Sequence, residues 1–211
     1  MIDVEKANGI WTVTINRPDK ANSLTTQMIE DLIDVATKAN GACNAFILTG
    51  AGRVFSAGAD LEEAHNGLAT SDVWERLSAA VAALPCLTIA ALNGTLAGGA
   101  NGMALACDLR IAVPQAKFFY PVMALGFLPQ PSDPVRLKKL VGPARAKYIL
   151  MAGQKISAQE AYAFGLIDQI VEDQDVIEAA YALCGAVGTA APSHVAAIKA
   201  MIDEGSDPLS R

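Results

Sequence analysis

Ala90-Ala91-Leu92-Asn93-Gly94-Thr95-Leu96-Ala97-Gly98-Gly99-Ala100-Asn101-Gly102-Met103-Ala104-Leu105-Ala106-Cys107-Asp108 is the stretch that decides the fold. The apolar run Leu87 to Leu92 reads as a buried strand. A turn of small residues follows, then a pattern of good helix formers. Small residues let the backbone come close to a ligand or to another backbone. A helix starting near Gly98 would aim free N–H groups and the positive end of its dipole into that turn, which suits an oxyanion. No Gly-Lys-Ser/Thr follows and the G-x-G-x-x-G spacing is missing, so neither a P-loop nor a dinucleotide fingerprint is present. Alone, such a glycine cluster between a strand and a helix is more often a structural turn than a functional one.

A second stretch repeats the design. Phe46-Ile47-Leu48-Thr49-Gly50-Ala51-Gly52-Arg53-Val54-Phe55-Ser56-Ala57-Gly58-Ala59-Asp60-Leu61 is an apolar strand, a glycine-rich loop and a small-residue turn into a short helix. Together the two stretches resemble the signatures of the enoyl-CoA hydratase/isomerase family, the crotonases. Ile15-Asn16-Arg17-Pro18, Asn22-Ser23-Leu24, Val141-Gly142, Ile156-Ser157-Ala158-Gln159-Glu160-Ala161 and Gly165-Leu166-Ile167-Asp168 match it too, in order, from about residue 8 to about residue 202.

At 211 residues the chain is expected to form one sizeable core. Its 52 % hydrophobic and 18 % charged content suits a well-buried protein, and a net charge of −6 argues against a nucleic-acid footprint. The N-terminus lacks a basic region before an apolar core, so no signal peptide is read, and no apolar span reaches 18 residues. No membrane partner is expected. Cys43, Cys86, Cys107 and Cys184 lie far apart without C-x-x-C, which reads as buried thiols in a reducing cytoplasm. His65 and His194 are too few and too distant for a histidine metal centre.

Along the chain, Gly9 to Ile15 alternates as a half-buried strand, and Asn16 to Lys20 is a turn. Thr25 to Ala39 carries an apolar stripe at helical spacing. Ala45 to Leu48 is a strand, and Ser71 to Ala83 a helix stopped by Pro85. Strands are expected at Leu109–Val113 and Lys117–Phe119, then an irregular connection through Pro129, Pro131 and Pro134. Helices follow at Val135–Leu140 and Ala144–Met151. Ser157 and Glu160 form a capping box for a helix ended by Gly165. A strand at Gln169–Val171 precedes helices at Val176–Val187 and Ser193–Asp203. Alternating strands and helices indicate an α/β domain with much parallel pairing.

The resemblance implies a crotonase-like spiral of ββα units, with a core over 1–190 and a short C-terminal helical segment over 191–211, reduced relative to the family. It implies homotrimers or hexamers and a reduced or reshaped lid. It places the carbonyl of an acyl-CoA thioester between the main-chain N–H groups of Ala59 and Gly99. Coenzyme A enters as part of the substrate, with no separate cofactor. The resemblance puts the CoA near the Arg17–Asn22 turn, including Lys20 and Ala21, and near Ala57, Gly58, Asp60, Leu61 and Gly98. Arg17 and Lys20 are phosphate contacts or solvated charges. Asp60 starts a helix or takes part in chemistry, and Asp108 reads as structural.

The proton-transfer positions depart from the pattern. Where hydratases of the family carry two glutamates, this chain has Gly102 and Val122, neither of which moves a proton. A third position, an acid or tyrosine in some relatives, is Gln130. Asp133 either reaches the pocket or starts the next helix. His65 either enters the pocket or stays in an exposed loop, and Tyr120 reads as packing. Two functions fit: an enzyme acting through an enolate held by Ala59 and Gly99, with Gln130 or Asp133 at hand, or an acyl-CoA-binding scaffold without chemistry.

Overall fold

The computed structural model describes residues 1–172 and 175–203. Its strands are β1 (Ile2–Ala7), β2 (Ile10–Ile15), β3 (Ala45–Gly50), β4 (Val54–Ser56), β5 (Leu87–Leu92), β6 (Thr95–Ala97), β7 (Leu109–Ala112), β8 (Lys117–Phe119), β9 (Ile156–Ser157) and β10 (Gln169–Ile170). Its helices are α1 (Thr26–Ala39), α2 (Leu61–His65), α3 (Val73–Ala82), α4 (Asn101–Ala106), α5 (Val122–Leu125), α6 (Asp133–Leu150), α7 (Ala158–Phe164), α8 (Val176–Leu183), α9 (Gly185–Gly188) and α10 (Pro192–Asp203).

Six strands form one sheet in the order β1-β2-β3-β5-β7-β10, and four form a second in the order β4-β6-β8-β9. Pairing is parallel except at β1–β2 and β8–β9. Three times the chain lays a strand in the large sheet, the next in the small sheet, and then a helix: β3-β4-α2, β5-β6-α4 and β7-β8-α5. This is the expected ββα spiral. The large sheet is buried on both faces, so β3 and β5 read as continuous apolar runs. Phe46, Leu48, Ala90 and Leu92 face the main core under α1 and α3, while Ala45, Ile47, Ile89 and Ala91 face a smaller core closed by α8.

Local signals set most boundaries. The Thr25 hydroxyl caps α1 by accepting from the Met28 N–H, and α1 buries Met28, Ile29, Leu32, Ala36 and Ala39. Ser157 and Glu160 make the expected capping box, and Gly165 ends α7 with φ +80°. The cysteines are free and buried.

Several expectations shift. β1 escaped the sequence reading, although Asn8-Gly9, both at positive φ, is a two-residue hairpin signal. The helix expected from Gly98 is a 3-10 turn over Gly98–Ala100 followed by α4. The two helices expected after the proline loop run together as α6, broken at Gly142 (φ 76°, ψ 167°) beside Pro143, and α6 starts at Asp133 rather than Val135. The Val176–Val187 helix is interrupted at Cys184. Of the expected 191–211 segment, α10 is seen, and 204–211 lie outside the described residues.

Candidate active site

The two signature turns meet. Asn22, fully buried, donates through Nδ2 to the carbonyls of Ala51 (2.9 Å) and Val54 (2.6 Å), which anchors the loop after β3. Ser56 donates to the Asn22 carbonyl at 2.8 Å and accepts from the Gly58 N–H at 3.2 Å. Leu24 then forms a single parallel bridge to Ala59: its N–H donates to the Gly58 carbonyl, and its carbonyl accepts from the Asp60 N–H, both at 2.8 Å. That alternation turns the Ala59 N–H to the opposite side, where it has no backbone acceptor among the described residues.

From the other side, Gly98 (φ +58°) and Gly99 open the 3-10 turn before α4, so the Gly99 N–H sits in a first turn, where no intrahelical acceptor exists. Asn101 ties this turn down by donating to the carbonyls of Gly98 (2.8 Å) and Phe119 (3.1 Å). Close approach explains the glycines. A Cβ on Gly58, which has φ +93°, would lie 2.9 Å from the Ala97 carbonyl oxygen and 3.2 Å from the Gly98 Cα. A Cβ on Gly99 would lie 2.8 Å from the Trp74 ring.

Ala59 and Gly99 line one cavity of about 670 Å³. Ala57, Leu61, Gly98 and Gln130 of the expected site line it as well, as do His65, Tyr120 and Val122. His65 closes α2 instead of lying in a loop; it is exposed, its Nδ1 lies 2.6 Å from the Leu61 carbonyl oxygen, and it lines the cavity. Arg17, Lys20, Ala21, Gly58, Asp60 and Asp133 lie outside the lining. Arg17 is tied to its neighbours: its Nη1 donates to Asp60 at 2.8 Å and to the Ser23 carbonyl at 3.2 Å. The guanidinium holds the Asp60 carboxyl below its ordinary value. Asp60 caps α2, its Oδ1 accepting from the N–H groups of Glu62 and Glu63. Lys20 is exposed at the end of the Pro18–Lys20 turn. Asp108 is structural, accepting from the Thr88 N–H and from Lys199.

The main surprise lies behind the cavity. Asp133 is 0 % exposed, and its Oδ2 accepts from the Tyr120 hydroxyl at 2.8 Å. Its Oδ1 has no hydrogen-bond partner among the described residues. A Cβ on Gly102 would sit 3.0 Å from that Oδ1, so the carboxylate fills the space a side chain at 102 would take. Burial raises the Asp133 pKa to about 6, against the opposing pull of the Tyr120 hydrogen bond and Arg136. Burial also raises the Tyr120 pKa.

Sequence reading missed Trp74 as a site residue. Its ring packs against Gly99 and lines the cavity, with Nε1 donating to the Leu68 carbonyl at 2.9 Å. On the stripe Val73, Leu77, Val81 it looks like ordinary core, and only the fold brings it to the site. Leu125, Phe127 and Leu128 complete the apolar wall and had no distinguishing signal.

A ββα spiral whose two small-residue turns, each at a strand–turn–helix junction, line one cavity is the architecture of a crotonase. The chain belongs to the enoyl-CoA hydratase/isomerase family, whose sequence model matches residues 5–210. It is 33 % identical over 218 residues to 4-chlorobenzoyl coenzyme A dehalogenase-2 of Arthrobacter sp, covering 97 % of this chain and 78 % of that protein. It is also 33 % identical over 214 residues to the short-chain-enoyl-CoA hydratase of Clostridium acetobutylicum, covering 96 % of this chain and 80 % of that one. The crystal structure of enoyl-CoA hydratase from Bacillus anthracis is similar at a TM-score of 0.88 and 32 % identity, covering 97 % of this chain and 83 % of that chain.

Proposed function

We propose that the protein binds an acyl-CoA thioester and stabilises its enolate through the N–H groups of Ala59 and Gly99. The observation that carries this is that Ala59 and Gly99, from two turns far apart in the chain, line one cavity. Negative charge develops on the thioester oxygen only as the enolate forms, so donors fixed beforehand favour the transition state over the ground state. Each such donor is worth about 3–4 kcal/mol. Coenzyme A enters as part of the substrate.

Hydration does not suit this site. It needs a base for water and an acid for the α-carbon, and Gly102 and Val122 supply neither. Isomerisation, decarboxylation or hydrolysis fits better, since each runs with one titrating group or none. Gln130 lines the cavity as a hydrogen-bond donor that does not titrate. A second reading, an acyl-CoA-binding scaffold without turnover, is favoured by the same two missing carboxylates. The family resemblance implies a homotrimer or hexamer in the cytoplasm, and both are part of this proposal.

Calorimetry with acetoacetyl-CoA tests the binding that both readings share. Heat with saturation is expected, and none at high micromolar protein refutes it. Crotonyl-CoA hydration is expected to be negligible, and a rate like that of ordinary hydratases would show this assignment of positions 102 and 122 to be wrong.

A further inference from the structure

We propose that Tyr120 and Asp133 form the proton relay of this site, Tyr120 meeting the acyl group and Asp133 acting through it. The proposal rests on acyl-CoA binding at Ala59 and Gly99 and supplies the titrating group that Gly102 and Val122 do not. Three observations carry it. Tyr120 lines the same cavity as Ala59 and Gly99. Its hydroxyl donates to a carboxylate with no solvent exposure at all. That carboxylate keeps one oxygen unpartnered, held where residue 102 lacks a side chain. A buried carboxylate with a single hydrogen bond is costly, and exceptions of this kind call for a functional explanation.

The step conserves atoms and charge. The α-C–H bond of the thioester breaks, and its electron pair becomes the enolate, whose oxygen is held by the two amides. The departing proton goes to the Tyr120 oxygen as the phenolic proton passes to Asp133 Oδ2. Tyr120 remains a phenol, and Asp133 becomes a neutral acid. The reverse step returns a proton to carbon. The charged and titratable groups around Asp133 are Tyr120 after β8, Glu75 from α3 and Arg136 on its own helix; from α4, Gly102 packs beside its Oδ1 without a side chain. Arg136 favours the carboxylate while Glu75 and burial disfavour it, which leaves Asp133 titrating near 6 and able to hold or release a proton close to neutrality.

The test is exchange of the α-protons of butyryl-CoA, a saturated thioester, in deuterium oxide, followed by mass spectrometry. Binding of the same ligand is measured separately by calorimetry. The unaltered protein should bind butyryl-CoA and exchange its α-protons, at a rate that rises with pH as Asp133 ionises and levels off above about 6. Y120F and D133N should each lose roughly 100-fold or more in exchange, the scale of a lost general base, while still binding. Binding without exchange, or a flat profile from pH 5 to 8, overturns the relay but leaves the binding site intact. So does wild-type exchange in either variant. A merely structural pair would weaken binding and leave the pH midpoint of the remaining exchange unmoved. Absence of binding removes the reading beneath the relay, and the relay with it. The pH profile needs no substitution, so it decides the matter even if a variant fails to fold.

Discussion

Replacing Asp133 with Asn should change how stability depends on pH. Asp133 is fully buried, and burial lifts its folded-state pKa from 3.8 to about 6. The folded protein therefore keeps this proton to higher pH than the unfolded chain does. The linked stability is complete below pH 3.8 and drains away as pH rises through about 6. Between pH 4.5 and 8 the linkage relation gives a loss of about 2 kcal/mol from this one group. Asn at 133 does not titrate, yet its side-chain carbonyl can still accept from Tyr120. It leaves an amide where Oδ1 stood without a partner, a constant offset of about 1–3 kcal/mol. The assay is urea denaturation of both proteins across that pH range, read as the difference between them. Other titrating groups cancel in the difference. The variant should gain about 2 kcal/mol on the parent between pH 4.5 and 8. A difference that stays level would mean that Asp133 titrates alike in the folded and unfolded chains, and the burial argument would fail.

Three other perturbations probe the site's supports. Gly99→Ala drives a methyl to 2.8 Å from the Trp74 ring, so the amide must move; turnover should fall about 10²–10³-fold, the scale of a lost oxyanion donor, in any assay the protein supports. Trp74→Ala removes a buried wall and should cost about 3–5 kcal/mol by chemical denaturation, with weaker acyl-CoA binding in calorimetry; a loss below 1 kcal/mol would show that α3 collapses into the gap. Arg17→Met breaks the pair with Asp60 and should lower stability slightly in chemical denaturation. NMR titration should find the Asp60 carboxyl closer to its ordinary value, since the guanidinium is the largest cause of its depression.

Much of the architecture can be read along the chain because its signals are local. The stripe on α1, the capping box at Ser157, the largely apolar β3 and β5, and both small-residue turns follow from periodicity and turn chemistry. The Asn8-Gly9 hairpin was equally readable, from an alternating Ile2-Asp3-Val4-Glu5 and a standard turn pair. Even the absence of glutamates at 102 and 122 is plain in the sequence once the resemblance aligns it.

What the sequence by itself determined is which faces are buried and where the backbone must bend or come close. It set an α/β alternation with parallel pairing and two small-residue turns, while the spiral and the reading of positions 102 and 122 came from the family resemblance. Tertiary structure alone decided which groups meet: Gly58 against Gly98, Trp74 against Gly99, Arg17 committed to Asp60, and Asp133 beside Gly102 with Tyr120 on its other oxygen. Periodicity records that a side chain points inward and is silent about what it finds there. Those meetings arise from strands stacked side by side in the folded sheets, a long-range packing outcome that no local spacing encodes.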